Sequence, residues 1–116
     1  MSIDYAVVQY VRDLRRNEPR NVGVIVNVHG VILDRFVGDD GKGGIDESLV
    51  EGRFRCIDNY RAWINYLRGA ARSGEPLMKI RGAGNFNLHF GSRIWGEAEP
   101  QEFLDELFSE LVEEHK

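Results

Sequence analysis

The sequence predicts an α+β domain, a mostly antiparallel sheet of about five strands with two amphipathic helices packed on one face. Three observations lead there. β-branched and aromatic runs separated by turn residues fill the first 37 positions, apolar residues recur at three- and four-residue intervals from Ile57, and that helical period returns after Pro100. The length of 116 residues fits a single α+β domain over 1–116, because a second core would have too few side chains to bury.

The first strand is Tyr5-Ala6-Val7-Val8-Gln9-Tyr10-Val11, apolar on both alternating faces apart from Gln9 and so suited to the sheet interior. Asp13 to Arg20 is polar, contains Pro19 and reads as an exposed connection where the chain reverses. Asn21 to Val28 is the second strand. Strict alternation puts Val22, Val24, Val26 and Val28 on one face and Asn21, Gly23, Ile25 and Asn27 on the other, so only the valine face is a good core surface. His29-Gly30 fits a tight hairpin turn into a third strand, Val31 to Val37. Gly38-Asp39-Asp40-Gly41-Lys42-Gly43-Gly44 has the composition of a mobile loop.

Ile57, Tyr60, Ile64, Leu67 and Ala71, with Trp63 beside them, then mark one face of a helix that begins near Asp58 and stops at Ser73-Gly74-Glu75-Pro76. Leu77 to Arg81 is a short candidate strand, and Asn85 to Phe90 alternates polar and apolar as a half-buried strand does. Pro100 suits a first helical position, after which Phe103, Leu104, Leu107, Phe108, Leu111 and Val112 form the stripe of a closing helix. Both helices need an apolar partner, and the valine face of the second strand is expected to supply it.

Composition narrows the function classes. At 42% hydrophobic and 29% charged the chain is an ordinary globular protein, and Cys56 alone cannot close an internal disulfide. No apolar run approaches the roughly 20 residues of a membrane-spanning helix. Met1-Ser2-Ile3-Asp4 has neither the basic nor the apolar region of a secretory signal, so a cytoplasmic protein with no membrane partner is expected. The net charge of −4 is unevenly spread: residues 97–116 carry −7, leaving +3 for residues 1–96.

No catalytic constellation, metal site or cofactor is expected. His29, His89 and His115 are scattered, so no zinc ligand set can be assembled from their spacing with Cys56. Cys56 reads as a buried, inert thiol, with His89 the one histidine that folding could bring to it. The 38–44 loop is not a phosphate loop, because the spacing to Gly41-Lys42 is too short and Gly43 follows the lysine. Nor is it a calcium loop, since Asp39 and Asp40 are adjacent and no alternating ligand series continues from them. Ser48, Ser73, Ser92 and Ser109 lie in no nucleophile elbow.

Val8-Gln9-Tyr10-Val11, then a polar link, then Glu18, Asn21, Val22, Gly23 and Val24 form a pattern that resembles a bacterial and phage family, the domain of unknown function 3037. Leu104 to Val112 is similar to that family's closing helix, whereas Gly38 to Arg81 lies outside the resemblance. The resemblance implies no reaction and no catalytic residue. Some members are encoded beside kinase-like proteins of the persistence-toxin type, which implies an accessory or binding role. Read from the residues alone, Glu18 pairs with a nearby arginine, Asn21 bonds turn backbone, and Gly23 admits another backbone or a large side chain.

The basic residues are 12 Arg against 3 Lys, and arginine's planar fork suits carboxylates and phosphates. Arg61, Asn65, Arg68 and Arg72 share one helical face opposite the apolar stripe, while Arg12, Arg15, Arg16 and Arg20 line the polar link and Arg53 and Arg55 precede the helix. These arginines are the candidate partner-binding residues. The expected function is a small non-enzymatic protein-interaction module of bacterial or phage origin in a toxin, defence or counter-defence setting, with a protein partner and a homo-oligomer as compatible states. The alternative is a nucleic-acid-binding protein using the Arg-rich surface. In the first reading the arginine face is solvated or pairs with the acidic outer face of the closing helix, Glu102, Glu106, Glu110 and Glu113.

Overall fold

Because β1 (Ser2–Val11) is apolar on both faces, it needs cover above and below, and it lies inside the sheet with β2 (Pro19–Val28) on one side and β4 (Phe86–Ile94) on the other. β3 (Val31–Phe36) completes an antiparallel sheet in the order β3-β2-β1-β4. The computed structural model describes residues 2–11, 19–42, 44–50, 54, 56–74, 76–82, 86–94 and 99–113. Two helices, α1 (Ile57–Arg72) and α2 (Pro100–Phe108), complete the α+β fold, with 3-10 turns at Glu47–Leu49 and Leu77–Lys79 and a π-helical turn at Ser109–Glu113.

Among the described residues the strand count is four, where about five were expected. Leu77 to Arg81 forms a 3-10 turn instead of a strand: Lys79 N–H donates to the Pro76 carbonyl and Ile80 N–H to that of Leu77. The i, i+3 spacing of Leu77 and Ile80 puts both side chains on one side of that turn, and both are buried in the core beneath α1.

The helices lie on opposite faces of the sheet, which corrects the expectation that they share one. Ala6, Val8, Tyr10, Ile25, Phe36 and Phe86 meet Tyr60, Ile64, Leu67 and Ala71 of α1. The alternate residues Ile3, Val7, Val24, Val26 and Val28 meet Phe103, Leu104, Leu107 and Phe108 of α2. Two full apolar faces require two covers, and burying each Ile64- or Leu67-sized side chain contributes about 2 kcal/mol.

Strict alternation fails in β2 at one position. Val8 stands opposite Gly23 and Gln9 opposite Asn21, so Val22 is an extra, bulged residue. The bulge turns Val22 into the α1 core with Ile25 and moves Asn21 to the valine side. At the hairpin, His29 (φ 52°) and Gly30 (φ 89°) both take the left-handed conformations that a two-residue turn of this hand requires, and Gly30 N–H donates to Asn27 Oδ1 at 2.9 Å.

The segment read as a mobile glycine loop is organised by its two aspartates. Asp39 pairs with Ile45 in an isolated bridge, Asp40 N–H donates to the Gly44 carbonyl, and Asp40 Oδ1 accepts from Lys42 N–H at 2.7 Å and Gly44 N–H at 3.0 Å. Asp39 Oδ1 accepts from Gly41 N–H at 2.9 Å. Short acidic side chains here replace the ladder bonds that a strand would have made.

Candidate functional site

Two of the motif residues of the β1–β2 region, Asn21 and Gly23, act as structural joints. Asn21 Nδ2 donates to the Leu111 carbonyl at 2.7 Å, and its Oδ1 accepts from Gln9 Nε2 at 2.9 Å. It therefore donates to a carbonyl in the π-helical turn that follows α2 instead of bonding turn backbone. Gly23 stands opposite Phe36, whose ring lies where a β-carbon at Gly23 would be, 2.2 Å from Cδ1. Glu18 lies outside the described residues, as do Arg12, Arg15, Arg16, Arg53 and Arg55. Arg20 is exposed, opposite Tyr10 in the ladder.

The arginines of α1 turn toward β3 and the 39–50 segment. Each follows a buried residue by one position, Tyr60 before Arg61, Leu67 before Arg68 and Ala71 before Arg72, which places it about 100° around the helix and beside the apolar stripe rather than opposite it. Arg61 reaches Glu47 at 2.9 Å, Asp58 at 3.4 Å and the Ile45 carbonyl at 3.3 Å. Arg68 Nε donates to Asp34 Oδ1 at 2.7 Å and its NH2 lies 3.5 Å from Asp39, while Arg72 stands 3.8 Å from Asp34. The carboxylates that meet these arginines thus come from β3, the turns and α1 itself, not from the outer face of α2. Asp34, Asp39, Asn65, Arg68 and Arg72 line an open cleft of about 540 Å³. Its charges are mixed and largely matched to one another.

Glu102 and Glu106 of α2 and Glu110 of the π-helical turn are exposed, across the sheet from these arginines. On that side Arg35 bridges to Asp105 at 3.3 Å and lies 4.3 Å over the Phe108 ring.

Cys56 corrects another expectation: it is exposed, immediately ahead of α1, with no side-chain capping bond. His89 lies on β4 opposite Val7, on the α2 face, so the sheet separates it from the helix that Cys56 precedes. No group of three or more potential metal ligands forms among the described residues. No helix among them is long and apolar enough to cross a membrane.

The carboxylates of the turns are tuned by hydrogen bonds. Backbone N–H donation, from Lys42 first and then Gly44, lowers the pKa of Asp40 below its ordinary value, and the Ser48 hydroxyl and then its N–H do the same for Asp46. A depressed folded-state pKa gives stability that is fully present above the unfolded value, about 3.9, and is lost as pH falls through the lower folded value. Urea midpoints measured from pH 6 downward should therefore begin to fall near about pH 4. The Asp40→Asn variant, which keeps an acceptor but carries no charge, should show a shallower decline. Equal slopes for the two proteins would exclude a contribution from Asp40.

A different surface gathers exposed aromatic groups. Tyr66 is 51% exposed and meets half-buried Trp63 edge-on, with ring centroids 5.4 Å apart, and Trp63 lies 5.3 Å from Phe86 of β4. Leu88 and Phe90 continue the row of Phe86 on the same face, and Phe90 is 39% exposed. Register ties α1 to this row. Asp34, Ile25, Ala6 and Phe90 stand opposite one another across the four strands, and Arg68 reaches Asp34, so the helical turn bearing Leu67 and Arg68 crosses above the row that ends in Phe90.

Sequence reasoning named Trp63 and Phe90 only as core-pattern residues, because their exposure depends on β4 being an edge strand, which no local pattern reveals. Comparison with protein-family models, with curated proteins and with solved structures yields no match.

Proposed function

We propose that this chain is a small non-enzymatic protein-interaction module whose partner surface is the aromatic ridge of Trp63, Tyr66, Leu88 and Phe90. The observation that carries the reading is the exposure of Tyr66, edge-on to half-buried Trp63 on α1, together with that of Phe90 on β4, on regular elements rather than loops. Aromatic side chains give large contact area at low entropic cost and dominate the energetics of interfaces. The resemblance to the domain of unknown function 3037, with its implied accessory role, agrees with a binding module in a bacterial or phage toxin, defence or counter-defence setting. The Arg-rich nucleic-acid surface is the weaker reading, since Arg61 and Arg68 face carboxylates within the fold.

The test compares native-lysate captures by the wild-type chain with those by Tyr66→Ser and Phe90→Ser. Proteins recovered by the wild type should be lost from both variants, each truncation costing about 2 kcal/mol or roughly thirtyfold in Kd. Equal recovery by all three proteins, or repeated recovery of nothing, would refute the proposal.

A further inference from the structure

Backbone geometry adds a second property to the β4 side of this ridge. In a two-residue hairpin the residues flanking the turn exchange both ladder bonds, which here are Val28 and Val31. Alternation then aims the backbone groups of Val22, Val24, Val26 and Val28 at β3, in keeping with the 2.8 Å bond from Val37 N–H to the Val22 carbonyl. Ile25 and Asn27 consequently bond β1 through Ala6 and Asp4, and Tyr5 and Val7 bond β4 through Gly91 and His89. The backbone groups of Leu88, Phe90 and Ser92 therefore point away from the sheet, and among the described residues β4 pairs with β1 alone.

The two sheet edges are not alike. β3 is six residues long and carries Asp34 and Arg35, both tied into ion pairs. β4 is nine residues long, and Phe86 to Gly91 has no lysine, acid or proline of the kind that discourages strand pairing. The stretch of sequence that contains it is basic. Between Glu75 and Glu97 the sequence contains no Asp or Glu, and its charges are Lys79, Arg81 and Arg93. Lys79 and Arg81 are exposed.

Resting on the interaction reading above, we infer that β4 receives an extended segment of a partner protein as a fifth strand, and that this segment alternates apolar with acidic residues. Its backbone pairs with the outward groups of Leu88, Phe90 and Ser92. Its apolar side chains continue the Leu88 and Phe90 row on the α1 side, and its acids are attracted by the exposed Lys79 and Arg81. A second copy of β4 would instead bring equal positive charge to the seam, which disfavours self-pairing.

The test uses the full chain and a dye-labelled nine-residue peptide in which Val alternates with Glu, followed by fluorescence anisotropy. Binding should weaken about tenfold in Ser92→Pro, which removes one outward N–H without touching the aromatic ridge or the β1 ladder. A peptide alternating Val with Lys should bind about tenfold more weakly than the Glu peptide, and Arg81→Glu, a surface change that keeps the fold intact, should narrow that difference. Equal binding of both peptides, unchanged binding by Ser92→Pro, preferential binding of a labelled single-stranded oligonucleotide, or a dimer that Ser92→Pro converts to monomer would each overturn the inference. Lysate partners lost in Phe90→Ser but kept by Ser92→Pro would leave the interaction module standing and remove strand addition.

Discussion

Replacing Arg68 by alanine should destabilise the protein by about 3 kcal/mol, read as a shift in urea midpoint at constant slope. The Asp34 side chain is 7% exposed and that of Arg68 14%, so truncating the arginine strands a carboxylate that water scarcely reaches. Arg72, 3.8 Å from Asp34 and two-thirds exposed, compensates only in part. The guanidinium also lies 5.6 Å over the Phe36 ring, so the truncation loses packing as well as charge. Replacing both members of the pair, as Asp34→Leu with Arg68→Met, should recover most of the loss, because a buried pair exchanged for apolar groups is close to neutral. A cost below about 1 kcal/mol for Arg68→Ala would mean that solvent in the cleft hydrates Asp34 as well as the arginine does.

That ion pair also shows where a sequence stops being readable. Helical period alone located α1, because Tyr60, Ile64, Leu67 and Ala71 are buried as their spacing requires. The same spacing placed Arg61, Arg68 and Arg72 on a shared face. What those arginines meet depends on which strand runs beside the helix, and Asp34 is 34 positions away from Arg68 in the chain. Long-range pairing of this kind leaves no local trace. A basic face inferred from one helix is therefore half of an observation, the other half being the acids that the fold brings to it.

The strands were legible where alternation was regular and misread where one residue was inserted. Val24, Val26 and Val28 face α2 as their period predicts, but the bulge at Val22 reverses parity and carries Asn21 to the α2 side. Such a bulge changes no residue type, only the count between two ladder positions, so pattern matching passes over it. Isoleucine at position 25 was the available clue, since an apolar residue on a face otherwise carrying Asn and Gly already indicated that both faces were covered. Had both covers been assigned, α1 and α2 would have fallen on opposite sides. The aromatic ridge escaped for a related reason: Phe90 becomes an exposed ring only because β4 lies at the sheet edge.

Gly23→Ala, a change of one methyl group, should cost about 2–3 kcal/mol. The added β-carbon would stand 2.2, 2.6 and 2.9 Å from three atoms of the Phe36 ring. No φ in the left-handed region is involved at Gly23, so the cost is steric and not conformational. The ring is 1% exposed and lies between the sheet and Arg68 of α1, which leaves it no direction in which to withdraw without opening the core. Shortening the obstructing side chain should therefore relieve the clash: Gly23→Ala combined with Phe36→Leu should cost clearly less than the two single changes added together. Gly69→Ala provides the opposite sign, because an added β-carbon in the last turn of α1 meets nothing within 4 Å and should stabilise the helix by about 0.5–1 kcal/mol. Strict additivity between positions 23 and 36 would show that the backbone of β2 shifts to accept the methyl group, and the account of Gly23 as a seat for Phe36 would then fail.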